Sequence, residues 1–317
     1  MQNLPSTLKS ILYSSQWASL WIPLVITGLS CPLLIRWAPA LGLFDSPRES
    51  ARKIHQQVKP LGGAALLFGF IPVLFLYGTT SLSLFTAVVI VFLTGLIDDI
   101  RGFDPKSKLL FQIMAATLLV ISHPLPVTDF YLYPGVRVSL SGIPNMVFVA
   151  FWLVGGTNAF NLVDGLDGLA TGIGILSLIP LILLAFGQGT YLLTAGLAAA
   201  LFAILLYNFY PARLFLGDGG SYLAGFLVSF LVINTLSSLS GANSGWNLGV
   251  GLLLLGVPIV DTVMAIFRRA GSEKGIMEAD QDHLHHKLYR KFNHVTAVLI
   301  IYLFQAVLSG LALLVIL

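Results

Sequence analysis

Apolar residues in this chain come in long runs separated by short polar stretches, at 17–35, 61–77, 82–97, 107–123 and 143–157, then 169–186, 191–206, 222–239, 246–267 and 295–317. A helix needs roughly 20 consecutive apolar residues to cross a bilayer, so the pattern predicts about ten helices of spanning or near-spanning length. An unpaired backbone group in lipid costs several kcal/mol, which restricts spanning structures to helices and closed barrels. The alternation of a barrel strand is absent. The expected fold is therefore all-α: a polytopic membrane protein of about ten transmembrane helices, a single integral membrane domain over residues 1–317. The longest polar insert is 268–294, and no internal repeat or low-complexity tract interrupts the series. Residues 1–16 contain one lysine and no cleavage pattern, so the first run is expected to be an uncleaved helix.

Composition sharpens this picture. Of 317 residues, 56% are hydrophobic and 10% charged, whereas soluble domains carry about 25% charged residues. A mean hydropathy of +0.89 along the whole chain is more than one globular core can hide, so the lipid bilayer is the first partner. The single cysteine, Cys31, sits within an apolar run and has no cysteine to pair with. A net charge of +3 does not indicate nucleic acid, because the basic residues fall in short clusters between apolar runs and not along one polar face.

Those clusters set an expected orientation, since cytoplasmic loops hold the excess of lysine and arginine. With the amino terminus outside, inward loops collect Arg36, Arg48, Arg52, Lys53, Lys59, Arg101, Lys106, Lys108, Arg213, Arg268, Arg269, Lys274, Lys287, Arg290 and Lys291. Lys9 and Arg137 remain outside, and among the acids Asp129 alone. Nearly every ionisable group then faces the cytoplasm, and the chemistry is expected on cytoplasmic loops.

Five polar constellations interrupt the runs. Asp98 and Asp99 end an apolar helix, where carboxylates are tolerated near an interface, when paired, or when a cation or substrate uses them; a solvated helix end neutralised by Arg101 is the bland alternative. Asn158, Asn161, Asp164 and Asp167 recur at three-residue spacing among glycines, an arrangement that suits a hydrated Mg2+ or a nucleotide and its phosphates, or simply a polar turn. Asp218 lies in a Gly-Asp-Gly-Gly-Ser string, whose glycines permit tight turns and expose N–H groups to anions. His283, His285 and His286 stand in the basic insert beside Asp280, Asp282 and Lys287. Without matching cysteines or histidines for zinc, these imidazoles suit an anion, with a lipid-headgroup loop as the alternative. Finally Arg52, Lys53 and His55 precede Lys59 and the pair Gly62 and Gly63 at a helix start, which attracts phosphate or merely obeys the charge rule.

Taken in order, Gly62-Gly63, Asp98-Asp99, the run from Asn158 to Ala170, FLGDGGS around Asp218, Pro258-Ile-Val-Asp261-Thr262 and HLHHKL from His283 resemble one family. It is the polyprenyl-phosphate N-acetylhexosamine-1-phosphate transferases, glycosyltransferase family 4, which begin the lipid intermediates of peptidoglycan, teichoic acid and O-antigen. The match spans nearly the whole chain, and HLHH resembles the branch of undecaprenyl-phosphate N-acetylglucosamine-1-phosphate transferases. The resemblance implies a multi-pass enzyme of the bacterial inner membrane that moves a sugar 1-phosphate from a UDP-sugar to polyprenyl (undecaprenyl) phosphate, releasing UMP, with Mg2+ or alternatively Mn2+. A homodimer is compatible with it. It further implies that Asp98 and Asp99 position or deprotonate the lipid phosphate, that Asp218 is the best metal ligand, and that Asp164 and Asp167 complete the metal and nucleotide site. Asn158, Asn161, Asn208 and Phe215 become candidates for the uridine, and His283, His285 and His286, with Lys53 and His55, for phosphate oxygens. Asp261 is a weaker candidate, one that supports the site without touching the substrates. A transporter and a CDP-alcohol phosphotransferase are the rivals; the first places its charges near the midplane, and the second carries an arginine after its first Asp-Gly that this chain lacks.

Overall fold

The computed structural model describes residues 6–37, 60–76, 82–123, 125, 129–133, 136–238, 247–270 and 283–317. Its elements are α1 (Ser6–Trp37), α2 (Gly62–Leu76), α3 (Leu82–Arg101), α4 (Pro105–Ser122), β1 (Asp129–Tyr133), β2 (Val136–Ser139), α5 (Gly142–Val163), α6 (Leu169–Leu184) and α7 (Thr190–Asn208). They continue with α8 (Gly217–Ser238), α9 (Asn247–Leu254), α10 (Gly256–Ala270), α11 (Leu284–Tyr289) and α12 (His294–Ile316). The apolar runs are helical over most of their described parts. By length and composition, six helices among the described residues can cross a membrane: Gln16–Trp37 of α1, then α3, α5, α7, α8 and α12. The bent pair α9 and α10 makes a seventh if it forms one span, while α2 and α6 are shorter apolar helices. The chain is a multi-pass, all-α membrane protein.

The structure departs from the expected pattern at two places. The link between α4 and α5 holds a short antiparallel hairpin, with Asp129 opposite Ser139 and a bulge between Tyr131 and Tyr133. More consequentially, the run at 246–267 is not one helix: α9 and α10 meet at an angle of 88°. Pro258 explains the break, since it has no N–H to give the carbonyl of Leu254 four residues back. Gln305 of α12, fully buried, supplies the missing partners. Its Nε2 donates to the Leu254 carbonyl at 2.9 Å and its Oε1 accepts the Val257 N–H at 3.1 Å. One amide thus closes both sides of a broken helix in a setting where open backbone groups are not tolerated.

Helix α8 is the axis of the bundle, its apolar window wholly buried. Small residues let its neighbours approach to backbone distance. A Cβ on Gly63 of α2 would collide with the backbone of Gly219 and Gly220, and one on Gly95 of α3 with the backbone of Asp218. The up-and-down order of the helices gathers the C-terminal ends of α3, α5 and α7 with the N-terminal ends of α2, α4, α6 and α8. Direct bonds tie this end together, among them Gly62 N–H to the Phe215 carbonyl at 2.9 Å and Tyr302 Oη on α12 to the Gly168 carbonyl at 2.5 Å. At the start of α4, the Asp104 side chain accepts from the N–H groups of Lys106 and Ser107, each at 3.0 Å. The Ser107 hydroxyl first, then these amides, hold the Asp104 carboxyl below the usual carboxylate range.

Replacing Gln305 by Leu should leave the Val257 N–H and the Leu254 carbonyl unpaired in an apolar setting, at a cost of about 1–3 kcal/mol for each orphaned group. Thermal unfolding in detergent should show a melting point several degrees lower; an unchanged one would mean that the break is held by something else.

Candidate active site at the polar end

The two acids that end α3 do different work, because neighbouring residues on a helix point about 100° apart. Asp99 turns to the backbone of α8: its Oδ1 accepts the Asp218 N–H at 2.9 Å and its Oδ2 the Gly219 N–H at 3.0 Å. It therefore caps the first turn of α8 and fixes where Asp218 stands. This corrects the expectation that the glycines around Asp218 leave N–H groups open to an external anion; the anion is the chain's own Asp99. The same holds at α2, where the N–H groups of Gly62 and Gly63 bond to the carbonyls of Phe215 and Leu216 at 2.9 and 3.0 Å. Those glycines serve close packing and a backbone join, not an open phosphate cradle.

Asp98 turns instead to side chains. Tyr222 Oη donates to its Oδ2 at 3.1 Å, the Phe103 N–H to its Oδ1 at 2.9 Å, and Lys108 of α4 forms an ion pair with it. Tyr222 lies one turn beyond Asp218 in α8, so its bond to Asp98 brings the two carboxyls into one corner, close enough to repel each other. Asn161 Nδ2 donates to Asp218 Oδ1 at 2.8 Å and to Ser221 Oγ at 3.0 Å. Two carboxyl groups this close are stabilised by positive charge beside them, as Lys108 supplies here, and their hard oxygens are the donors that Mg2+ takes, with water and phosphate completing its octahedron. Among the described residues no three His, Cys, Asp or Glu side chains converge on one ion position. The donor set present fits an ion that keeps most of its shell for water and substrate.

The remaining sequence candidates are spread around this centre. Asp164 follows the last residue of α5, one turn beyond Asn161, with its N–H bonded to the Phe160 and Asn161 carbonyls. Asp167 is buried and accepts the Ala212 N–H at 3.0 Å. Asn208 is buried as well: its Oδ1 takes the Gly168 N–H at 3.1 Å and the Thr171 hydroxyl at 2.6 Å, and its Nδ2 donates to the Leu214 carbonyl at 2.9 Å. These bonds make it a brace between the 164–168 loop and the 209–216 loop. Asn158 faces Gln112 of α4, donating at 2.6 Å, and Phe215 lies half-buried in the loop whose carbonyl holds Gly62.

His283, His285 and His286 come to the same end. His283 and His285 are buried, with parallel rings 5.7 Å apart, and His286 sits 4.2 Å from His285. Asp261 of α10 bonds to His283 Nδ1 at 2.9 Å. Lys53 and His55, like Arg52, Lys59, Asp280 and Asp282, lie outside the described residues. Sequence reasoning missed Lys108, Tyr222, Ser221 and Gln112 as site residues. Lys108 had been counted only as topogenic charge; its place one turn into α4, after the Asp104-Pro105 helix start, is the signal that could have found it.

Comparison with known proteins adds the following. Residues 81–236 match the model of glycosyl transferase family 4. The chain is 34% identical to a probable undecaprenyl-phosphate N-acetylglucosaminyl 1-phosphate transferase of Bacillus subtilis, over 92% of this chain and 81% of that one. It is 31% identical to an undecaprenyl-phosphate alpha-N-acetylglucosaminyl 1-phosphate transferase of Thermotoga maritima, over 84% and 80% of the two chains. With a decaprenyl-phosphate N-acetylglucosaminephosphotransferase of Mycolicibacterium smegmatis it shares 30% identity over 90% and 80%.

Removing the α8 cap tests the division of labour between the two acids. Asp99→Ala orphans two N–H groups and should lower stability by about 2 kcal/mol, read from unfolding in detergent. A variant that melts with the wild type would show that Asp218 is held without Asp99.

Proposed function

The chain belongs to glycosyl transferase family 4, and from that premise we propose that it transfers N-acetylglucosamine 1-phosphate from UDP-N-acetylglucosamine to undecaprenyl phosphate. UMP is the other product, and the reaction is the first membrane step of a cell-envelope polysaccharide. The site faces the cytoplasm of a bacterial cell, with the amino terminus outside and the chain in the inner membrane. The observation that best supports the reading is the meeting of Asp98, Asp218, Lys108 and Asn161 from four helices at one end of an apolar bundle, joined by Lys108 and Tyr222 on Asp98 and by Asn161 on Asp218. There a membrane-bound acceptor and a water-soluble donor can both arrive.

The chemistry follows from charge. An oxygen of the lipid phosphate attacks the sugar-bearing phosphorus of the donor, and the bond from that phosphorus to the bridging oxygen breaks, so that UMP departs. Anion repulsion is the main obstacle, and fixed positive charge with correct positioning lowers it. Lys108 attracts and orients the lipid phosphate. Beside it lies an exposed apolar face of α4, Leu109, Leu110, Ile113 and Met114, along which a prenyl tail can lie. Asp98 takes the proton that the acceptor phosphate carries. Asp218, oriented by Asn161 and by the cap from Asp99, would hold Mg2+, or alternatively Mn2+. That ion, when bound, supplies charge to the pyrophosphate oxygens and the leaving UMP. His285 and His286, over the loop with Asp164 and Asp167, take the donor side.

Purified protein given undecaprenyl phosphate, UDP-N-acetylglucosamine and Mg2+ should release UMP, and excess EDTA should stop the release. Asp218→Ala should abolish it while the melting point is retained, and Lys108→Ala should raise KM for the lipid at least about tenfold more than KM for the donor. No UMP from any UDP-sugar would end the proposal. For orientation, cysteines placed at the exposed Lys106 and Lys287 should react with an impermeant thiol reagent from the cytoplasmic side, and one at Gly189 from the opposite side. Labelling of Lys106 and Lys287 positions from different sides would refute the threading.

A further inference from the structure

Asp261 is 2% exposed, and the described structure gives its carboxylate partners only in the HLHH segment. Its Oδ2 lies 2.9 Å from His283 Nδ1, and its Oδ1 accepts the Leu284 N–H at 2.8 Å. An ionised carboxylate only accepts, so Nδ1 of His283 carries the proton and Nε2 keeps its lone pair while the ring is neutral. The His283 ring then lies parallel to that of His285, with 8° between their planes. A Cβ on Gly165 would run into the His285 ring, which places that ring directly over the backbone of the loop carrying Asp164 and Asp167. A line of contacts thus runs from α10 through two histidines to the acidic loop. Neither Lys108 nor the Asp98 and Asp218 pair takes part in it.

We propose that Asp261 is a positioning residue for the nucleotide-sugar donor: it sets the tautomer and orientation of His283 and so registers His285 and His286 against the 164–168 loop. This rests on the reading above that the histidine segment takes the donor. Because Asp261 touches none of the groups assigned to the lipid phosphate, its effect falls on one substrate only. The α9 and α10 break gives the placement a structural cause, since the turn at Pro258 directs α10, and Asp261 with it, toward the histidine segment.

Asp261→Asn separates this role from a merely structural one. The amide oxygen still accepts the Leu284 N–H, but its NH2 faces His283 Nδ1, which must then accept and move its proton to Nε2, the wrong tautomer for the wild-type arrangement. The full-length variant should melt with the wild type, show KM for UDP-N-acetylglucosamine raised about tenfold or more, and keep its KM for undecaprenyl phosphate. His283→Gln cuts the same contact from the other end and should give the same rise even if Asp261→Asn folds poorly. In the His283→Gln background Asp261→Asn should add nothing, as expected for two residues acting as one unit. An active wild type whose Asp261→Asn variant matches it, raises both KM values together, or keeps its full effect without His283 overturns this inference alone. A wild type that neither binds nor turns over UDP-N-acetylglucosamine overturns the functional reading, and this inference with it.

Discussion

A peptide backbone surrounded by lipid and protein must find its hydrogen bonds within the chain, and this constraint shapes the described breaks of the bundle. At four described breaks a polar side chain closes the exposed groups. Asp99 caps α8, Gln305 bridges α9 and α10, Asn208 joins the loops before α6 and α8, and Asp261 holds the first N–H of α11. The cluster at the polar end is therefore two layers deep. One layer fastens backbone, and the groups available for chemistry stand on it.

This layering explains how acids can sit so close together. Asp98 and Asp218 repel each other when both are ionised, and an exposed, flexible pair would simply move apart. Here α3 and α8 touch at glycines, Gly95 against the Asp218 backbone, and Asp99 fastens the first turn of α8 to the end of α3. The repulsion cannot relax by separation. It is countered by Lys108, Tyr222 and Asn161, and an arriving cation would relieve it further. The affinity for a divalent ion that the proposed function calls for would thus be a property of the packing as much as of the acids.

Much of this was legible beforehand. The ten apolar runs mark the helices because lipid-facing and core-facing residues are both apolar, so length alone carries the signal. The acid pair, the Asn and Asp series and the histidines were legible as departures from that background. Their division of labour was not. Asp98 and Asp99 are one residue apart and chemically identical, and only the direction of each side chain decides which fastens backbone and which meets Asp218. Asn208 reads as a ligand-type amide yet is buried as a brace, whereas Gln305 sits inside the last apolar run with no neighbouring motif to mark it. The signal for the broken helix was present in Pro258, but a hydrophobic run through a proline also fits a kinked single span. Lys108 carried two meanings at once, and topology alone explained it.

The two substrates differ in how they can reach such a centre, and the bundle is asymmetric in the matching way. Helix α4 borders the acid pair with Lys108 and turns Leu109, Leu110, Ile113 and Met114 outward, so an anion drawn to Lys108 can keep an apolar tail in lipid. The histidine segment belongs instead to the polar insert after α10, where exposed Lys287, Arg290 and Lys291 surround it. A highly charged nucleotide would pay heavily to cross the α4 face and has no such obstacle at the insert. The acid pair stands between these approaches on the wall of α8. On the proposed function its fixed position, set by Asp99 and the glycine contacts, would let a lipid phosphate and a soluble pyrophosphate meet without either leaving its own solvent.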